Sequence, residues 1–287
     1  MEPDPALLHQ FALPLLERLQ RQARQGLRPA IGLNAPVGAG KSSLCRLLAG
    51  LAQGQGLRLA VASIDDLYLP WTPRIRAMAG NPFAVTRVPP GSHDAPLLQR
   101  CLADWRAGGE LCLPRFDKTL RDGEGDRSGE ERMEADALLL EGWLIGCRPL
   151  GPALGELDPG ALDLQVPLAG AELAWLPRWD RELVAYQPAW AQLDELWLLR
   201  PQHWTLPRRW RFQAEARQRR ASGVGLAPAA LQQLVRASLC SLPPELYIEP
   251  LTQEAATVGV LDGRRRLVAL ESRRDHASAS SASLLIG

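Results

Sequence analysis

Residues 28–43 read RPAIGLNAPVGAGKSS, and the fold turns on this stretch. AIGLN is a short apolar run, of a length that suits a buried strand better than a helix. It passes without a spacer into a turn in which Gly38, Ala39 and Gly40 keep side chains clear of the backbone. KSSLCRLLAGLAQ then reads as the helix that follows.

Strand, glycine-rich turn and helix in that order make a phosphate cradle, because the backbone N–H groups at the start of the helix point at an anion. Lys41 is placed to bridge the outer phosphates, Ser42 offers a hydroxyl to magnesium, and Ser43 is a further donor. The pattern GxxxxGK[ST] has its first glycine where this chain has Ala35. That position accommodates the chain as it leaves the strand, and alanine adds only a methyl group, so the site is expected to be intact.

Composition narrows the setting. The chain has 287 residues, 46% hydrophobic and 23% charged, with a net charge of +1. That balance gives no reason to expect nucleic acid or an anionic membrane as partner. Five scattered cysteines without a CxxC pair argue against a disulfide framework or zinc site. MEPDPALLHQ is acidic where a leader would be basic, and no apolar run approaches membrane-spanning length, so a cytoplasmic protein is expected. Arginine outnumbers lysine 31 to 2. Under such a bias a retained lysine marks a place where a compact ammonium is needed. The two are Lys41 and Lys118.

Residues 6–25 place Leu7, Leu8, Phe11, Leu15, Leu16 and Leu19 on one helical stripe. LRLAVASI, DALLLEGW and DELWLLRP read as further buried strands, and PPELYIEPL leads into a hairpin around Asp262 and Gly263. WDRELVAYQPAWAQL reads as helical with a break at Pro188, and 148–170 as loops. Between them lie a polar region over about 70–130, with short helical pieces, and an Arg-rich helix over about 205–222. Strands alternating with helices imply an α/β, three-layer sandwich with a mainly parallel central sheet. One domain over 1–275 with inserted lid segments is expected, followed by a flexible tail at 276–287.

Two carboxylates define the chemistry. Asp65 ends the second strand, where open α/β sheets place their ligands, and is read as the base that takes a proton from an acceptor hydroxyl. Glu141 ends the strand LLLEG and is read as the magnesium carboxylate beside Ser42. Neither an NKxD guanine-reading motif nor an LSGGQ-like signature occurs, which disfavours regulatory GTPases and transporter ATPases. The set describes phosphoryl transfer from ATP to a small-molecule hydroxyl. A nucleotide-dependent switch or chaperone that phosphorylates nothing remains the reading from a different class.

SIDDLYLP, GNPFAVTRVPPGSHD, LPRFDKTLRDGEGDR, LLLEGWLIG, WRFQAE and PPELYIEPL occur in this order. In this the chain resembles D-glycerate 3-kinases of the plant and cyanobacterial type. That is a branch of the P-loop kinases related to uridine kinase, phosphoribulokinase and pantothenate kinase. Relatives commonly carry APxGxGK[ST] too; Val88 and Ser92 depart from the usual glycine and threonine. The resemblance implies ATP and Mg2+ as cofactors and a small hydroxy acid as substrate. It implies an acceptor site drawn from Arg87, His93, Asp94, Arg115, Asp117, Lys118, Asp126 and Arg127. It further implies that the Arg-rich helix is a lid, with Arg208 at the nucleotide and Arg211 stabilising charge on the transferred group. Another acceptor, such as a nucleoside or a pantothenate-like alcohol, would use the same chemistry. The oligomeric state is not legible.

Overall fold

The computed structural model describes residues 4–157, 163–222 and 225–272; the tail expected at 276–287 lies outside them. The first helix forms as a π-helical opening over Leu7–Ala12 that runs into α1 (Leu13–Arg24). Its stripe of Leu7, Phe11, Leu15, Leu16 and Leu19 is buried, and Phe11 meets Trp197 edge-on at 5.2 Å. β1 (Ala30–Asn34), α2 (Lys41–Gly54) and β2 (Leu59–Ser63) follow as read from the sequence, and a 3₁₀ turn over Ile64–Leu67 succeeds β2.

The polar region contains α3 (Trp71–Met78), α4 (Ala95–Arg106) and a hairpin, β3 (Leu111–Asp117) with β4 (Asp126–Met133). The hairpin has no counterpart in the sequence reading. Its second strand, DRSGEERM, lacks the alternating apolar residues that announce a half-buried strand, and the pair forms a separate two-stranded sheet. β5 (Ala137–Gly142) then enters the core.

The stretch read as loops holds the short α5 (Pro152–Gly155), while 158–162 lie outside the described residues. Next come α6 (Gly170–Glu182), a 3₁₀ turn over Leu183–Tyr186, and α7 (Gln187–Trp190). The break therefore precedes Pro188, which sits in the first turn of α7, where a missing N–H costs no helical hydrogen bond. β6 (Glu195–Pro201), α8 (Leu206–Ser222), α9 (Pro228–Cys240), α10 (Pro244–Tyr247), β7 (Thr257–Leu261) and β8 (Leu267–Ser272) complete the chain.

The main sheet has the order β2-β5-β1-β6-β7-β8, parallel throughout except for the antiparallel edge strand β8. Alternate residues of each inner strand serve opposite faces. Ile31, Leu33, Leu139 and Trp197 pack with α1 and α2, whereas Ala30, Leu138, Leu140 and Leu198 pack with α4 and α9. β5 is buried along its whole length, as a parallel strand covered on both faces must be. The molecule is thus a three-layer α/β sandwich of the P-loop NTPase kind. From β1 the chain crosses to β2 on one side, and from β5 it later crosses to β6 on the other side of β1, so the carboxyl ends of β1, β5 and β2 open onto one crevice.

All five cysteines are free thiols, four of them buried. Among the described residues no helix is long and apolar enough to cross a membrane.

Val88 has φ 95°, a left-handed conformation that β-branched side chains strongly disfavour and that glycine adopts freely. The glycine that the resemblance leads one to expect at this position has this physical reason. Val88→Gly is expected to stabilise the fold by about 1 kcal/mol, strain relief exceeding the entropy that glycine loses. The measurement is the thermal midpoint, expected to rise by about 2 °C.

Candidate active site

The phosphate loop joins β1 to α2. Gly38 (φ 78°) and Gly40 (φ 99°) take left-handed conformations, and Gly40 precedes the first residue of α2. The Ser43 and Leu44 N–H groups both close onto the Gly40 carbonyl at 3.1 Å. Lys41 Nζ donates to the Ala35 carbonyl at 2.7 Å and the Pro36 carbonyl at 3.1 Å, so the ammonium lies across the loop. Ala35, standing where the motif has glycine, is wholly buried among core residues, and its N–H donates to the Gly142 carbonyl at 3.1 Å. Its methyl group is packed there rather than turned into the loop.

The sheet register brings the carboxylates to this loop. Glu141 pairs across β5 with Leu33 of β1 and with Ser63 of β2, which sets it beside the loop. Its Oε1 accepts from Ser42 Oγ at 3.4 Å. Burial raises the Glu141 pKa, and the Lys41 charge opposes that rise. Asp65 lies one residue into the 3₁₀ turn after β2, with its N–H bonded to Ser63 Oγ at 3.3 Å. Both its carboxylate oxygens are engaged: Tyr68 OH donates to Oδ1 at 3.0 Å and Lys118 Nζ to Oδ2 at 2.7 Å. Burial pushes the Asp65 pKa up, but the Lys118 charge and hydrogen bond, aided by Tyr68, hold it well below the usual carboxylate range.

A cleft of about 260 Å³ joins these groups, lined by Lys41, Ser42, Asp65, Tyr68, Arg87, Lys118, Glu141 and Arg211 among others. A hollow of about 480 Å³ beside the start of β6 is larger, but it has neither a phosphate loop nor a lysine. Both lysines of the chain line the cleft. Ser42 and Glu141 fit a magnesium ion, which takes one or two protein oxygens and completes its shell with phosphates and water. Among the described residues no group of three or more His, Cys, Asp or Glu residues suited to a metal occurs.

The eight acceptor-site candidates separate into cleft and scaffold. Arg87 and Lys118 line the cleft, and Arg87 is 6% exposed, its Nη1 anchored by the Gly123 and Glu124 carbonyls at 2.9 and 2.6 Å. The others make structural bonds. Asp94 caps α4 through the Leu97 N–H at 3.1 Å and pairs with Arg127 at 3.0 Å; Arg127 also donates to the Tyr68 carbonyl at 2.9 Å. Asp126 accepts from the Trp71 N–H at 3.0 Å and from Arg121 at 3.1 Å. Arg115 binds Asp66 at 3.2 Å and also Glu131, tying the hairpin to the 3₁₀ turn. Asp117 is occupied by the Thr119 N–H and hydroxyl at 2.8 and 2.6 Å. His93, 4% exposed, stacks on Tyr68 at 4.5 Å and bonds the Tyr186 hydroxyl through Nδ1 at 2.9 Å. Burial lowers its pKa to about 4, so it is a neutral buttress rather than a cation.

The two arginines assigned to the lid also differ. Arg211 reaches the cleft and pairs with Glu215 one turn on at 2.8 Å. Arg208 turns toward α9, where its Nε donates to Gln232 at 2.9 Å. Sequence reasoning overlooked Tyr68, whose position three residues after Asp65 was the available signal. Trp143 also lines the cleft, and its Nε1 has no hydrogen-bond partner.

No protein-family model matches the chain. An uncharacterized kinase of Schizosaccharomyces pombe, mug58, is 29% identical over 213 residues, 70% of this chain and 75% of its own length. A chloroplastic D-glycerate 3-kinase of Arabidopsis thaliana is 28% identical over 235 residues, 76% of this chain and 48% of its own length. The structure of a D-glycerate 3-kinase from Cryptococcus neoformans superposes with a TM-score of 0.78 at 27% identity, covering 93% of this chain and 99% of that one.

The pairing of Asp65 with Lys118 has a direct test. Lys118→Met removes the charge and hydrogen bond that lower the Asp65 pKa, so that pKa should rise by about one unit or more. A carboxyl NMR titration of Asp65 in the two proteins reads the shift.

Proposed function

We propose that this chain, a P-loop kinase of the D-glycerate 3-kinase type, transfers the γ-phosphoryl group of ATP to the 3-hydroxyl of D-glycerate. The observation that carries this reading is that one cleft holds the phosphate loop, the Ser42–Glu141 pair and the Asp65 carboxylate together. That cleft, about 260 Å³ in all, is small even beside the pockets that hold drug-sized ligands. Such pockets run to about 300–1,000 Å³.

In this reading Lys41 leaves the Ala35 and Pro36 carbonyls for the β- and γ-phosphate oxygens. Magnesium, held by Ser42 and Glu141, neutralises charge on those phosphates when bound. Arg87 receives the acceptor carboxylate, since a guanidinium anchored on one side by backbone carbonyls still presents donors on the other. The 3-hydroxyl oxygen attacks the γ-phosphorus as its proton passes to Asp65; the bond from that phosphorus to the β,γ-bridging oxygen breaks, and ADP leaves with the electron pair. Arg211 faces the charge that develops on the transferred group. With Lys118 bonded to it Asp65 is a weak base, and transfer of that ammonium to the incoming anion strengthens it when the acceptor arrives.

The test is ADP formation from Mg-ATP with D-glycerate, beside L-glycerate, glycerol, uridine and pantothenate, with Lys41→Ala as control. Stimulation by D-glycerate alone, lost in the control, is expected; stimulation by another compound replaces the acceptor, and stimulation by none removes the reading. Asp65→Asn is expected to cut turnover by about 100-fold or more while nucleotide affinity, read by calorimetry, stays close to that of the unaltered protein.

A further inference from the structure

The turn between β7 and β8 reaches back to the phosphate loop. At its tip Arg265 adopts φ 63°, a left-handed conformation unusual for a residue with a side chain. Its Nε donates to the carbonyl of Gly38 in the loop at 2.7 Å, and its Nη2 to the carbonyl of Trp210 in α8 at 2.8 Å. The guanidinium lies over the Trp210 ring, 5.6 Å from its centroid, and Trp210 Nε1 donates to the Gly263 carbonyl of the same turn at 3.1 Å. Trp210 itself is wholly buried.

The loop and α8 also touch through their backbones. A Cβ on Gly38 would lie 2.6 Å from the Arg211 nitrogen and 2.8 Å from the Trp210 carbonyl carbon, so nothing larger than glycine fits between them. Arg265 spans this contact from the side and bonds one carbonyl of each element. The planar fork reaches the two carbonyls from two separate nitrogens held in fixed geometry, whereas a lysine's three donors all radiate from one nitrogen. The place is not a comfortable one for a cation, because burial and the nearby Arg217 and Arg209 charges all disfavour it. A strained backbone and a crowded charge are retained where they serve an arrangement that the rest of the fold enforces.

The residue after Trp210 is Arg211, which lines the cleft. We propose that Arg265 is a positioning residue for phosphoryl transfer: it clasps the phosphate loop to the first half of α8 and thereby fixes Arg211 at the cleft. The proposal rests on the kinase reading given above. It also alters the picture of an arginine-bearing lid, since α8 cannot swing as one rigid unit while Trp210 is held to Gly38 through Arg265.

The test is a double-mutant cycle between Arg265→Ala and Arg211→Ala, with hydrogen exchange measured separately in the absence of acceptor. Arg265→Ala is expected to lower kcat about tenfold or more while the acceptor KM changes little. Arg211→Ala should cost much less in that background than alone, because its side chain is already displaced. Arg265→Lys should not restore kcat, and it carries the same test if the alanine variant does not fold. Arg266→Ala, on the exposed side of the turn and paired with Asp262, should behave as the unaltered protein. Losses that simply multiply, or an Arg265→Lys enzyme with full kcat, overturn the proposal. Amide exchange at 38–44 and 206–214 should quicken about tenfold or more in Arg265→Ala, and unchanged exchange overturns the clasp. Because exchange needs no acceptor, a protein that ignores D-glycerate yet loses protection there retains the clasp and loses only the assigned reaction.

Discussion

Everything at the cleft depends on the parallel register of three strand ends. β5 is buried on both faces and paired on both edges, so its residues have no freedom to shift by one without exchanging the faces that Leu138 and Leu139 serve. That register puts Glu141 level with Leu33, two residues before the phosphate loop, and level with Ser63, two residues before Asp65. The candidate base Asp65, a candidate magnesium carboxylate and a phosphate cradle are thereby placed by ladder hydrogen bonds and apolar packing, not by contacts among themselves. The site can consequently keep charged groups close together, as with Asp65, Lys118 and Lys41, without relying on them for its shape.

The inserted region builds the remaining wall. Its charges are numerous, and several hold the β3–β4 hairpin against the 3₁₀ turn after β2 and the starts of α3 and α4. Arg115 with Asp66 ties the hairpin to that turn, Arg127 with Asp94 ties it to the start of α4, and Asp126 with the Trp71 N–H ties it to the start of α3. Arg74, wholly buried, ties the Leu69 carbonyl to the Glu124 and Gly125 carbonyls and lies over the Phe116 ring. This scaffold leaves Arg87 and Lys118 as the cations that the insert contributes to the cleft. Tyr68, backed by His93 and Phe116, closes the wall between them and donates to Asp65.

On the other side of the loop, α8 and the β7–β8 turn lean on the phosphate loop itself. The close approach at Gly38 explains why that position in the turn must be glycine for a reason beyond its φ of 78°. Burial of Trp210 beside Arg265 anchors the amino-terminal half of the Arg-rich helix to the core through one face, while Arg208 and Arg209 stay exposed. The cationic run thus has two characters along one helix, which composition could not separate.

Local signals in the chain were sufficient for the layers and the phosphate site. Strand, glycine turn and helix over 28–54 carry their own geometry, because apolar length, left-handed glycines and a helix start are properties of neighbouring residues. Asp65 and Glu141 were legible for the same reason, each standing at the end of an apolar run. The hairpin over 111–133 was not, since its second strand is stabilised by pairing with the first, and the pair by ion pairs to distant residues, rather than by an alternating apolar face of its own. Nor could the sequence divide eight polar candidates into two that line the cleft and six that brace it. Residue type names a chemistry, whereas burial and partner choice, which decide between a ligand and a scaffold bond, arise only when segments far apart in the chain are packed together. Arg265, 227 residues from the glycine it binds, was decided by tertiary structure alone.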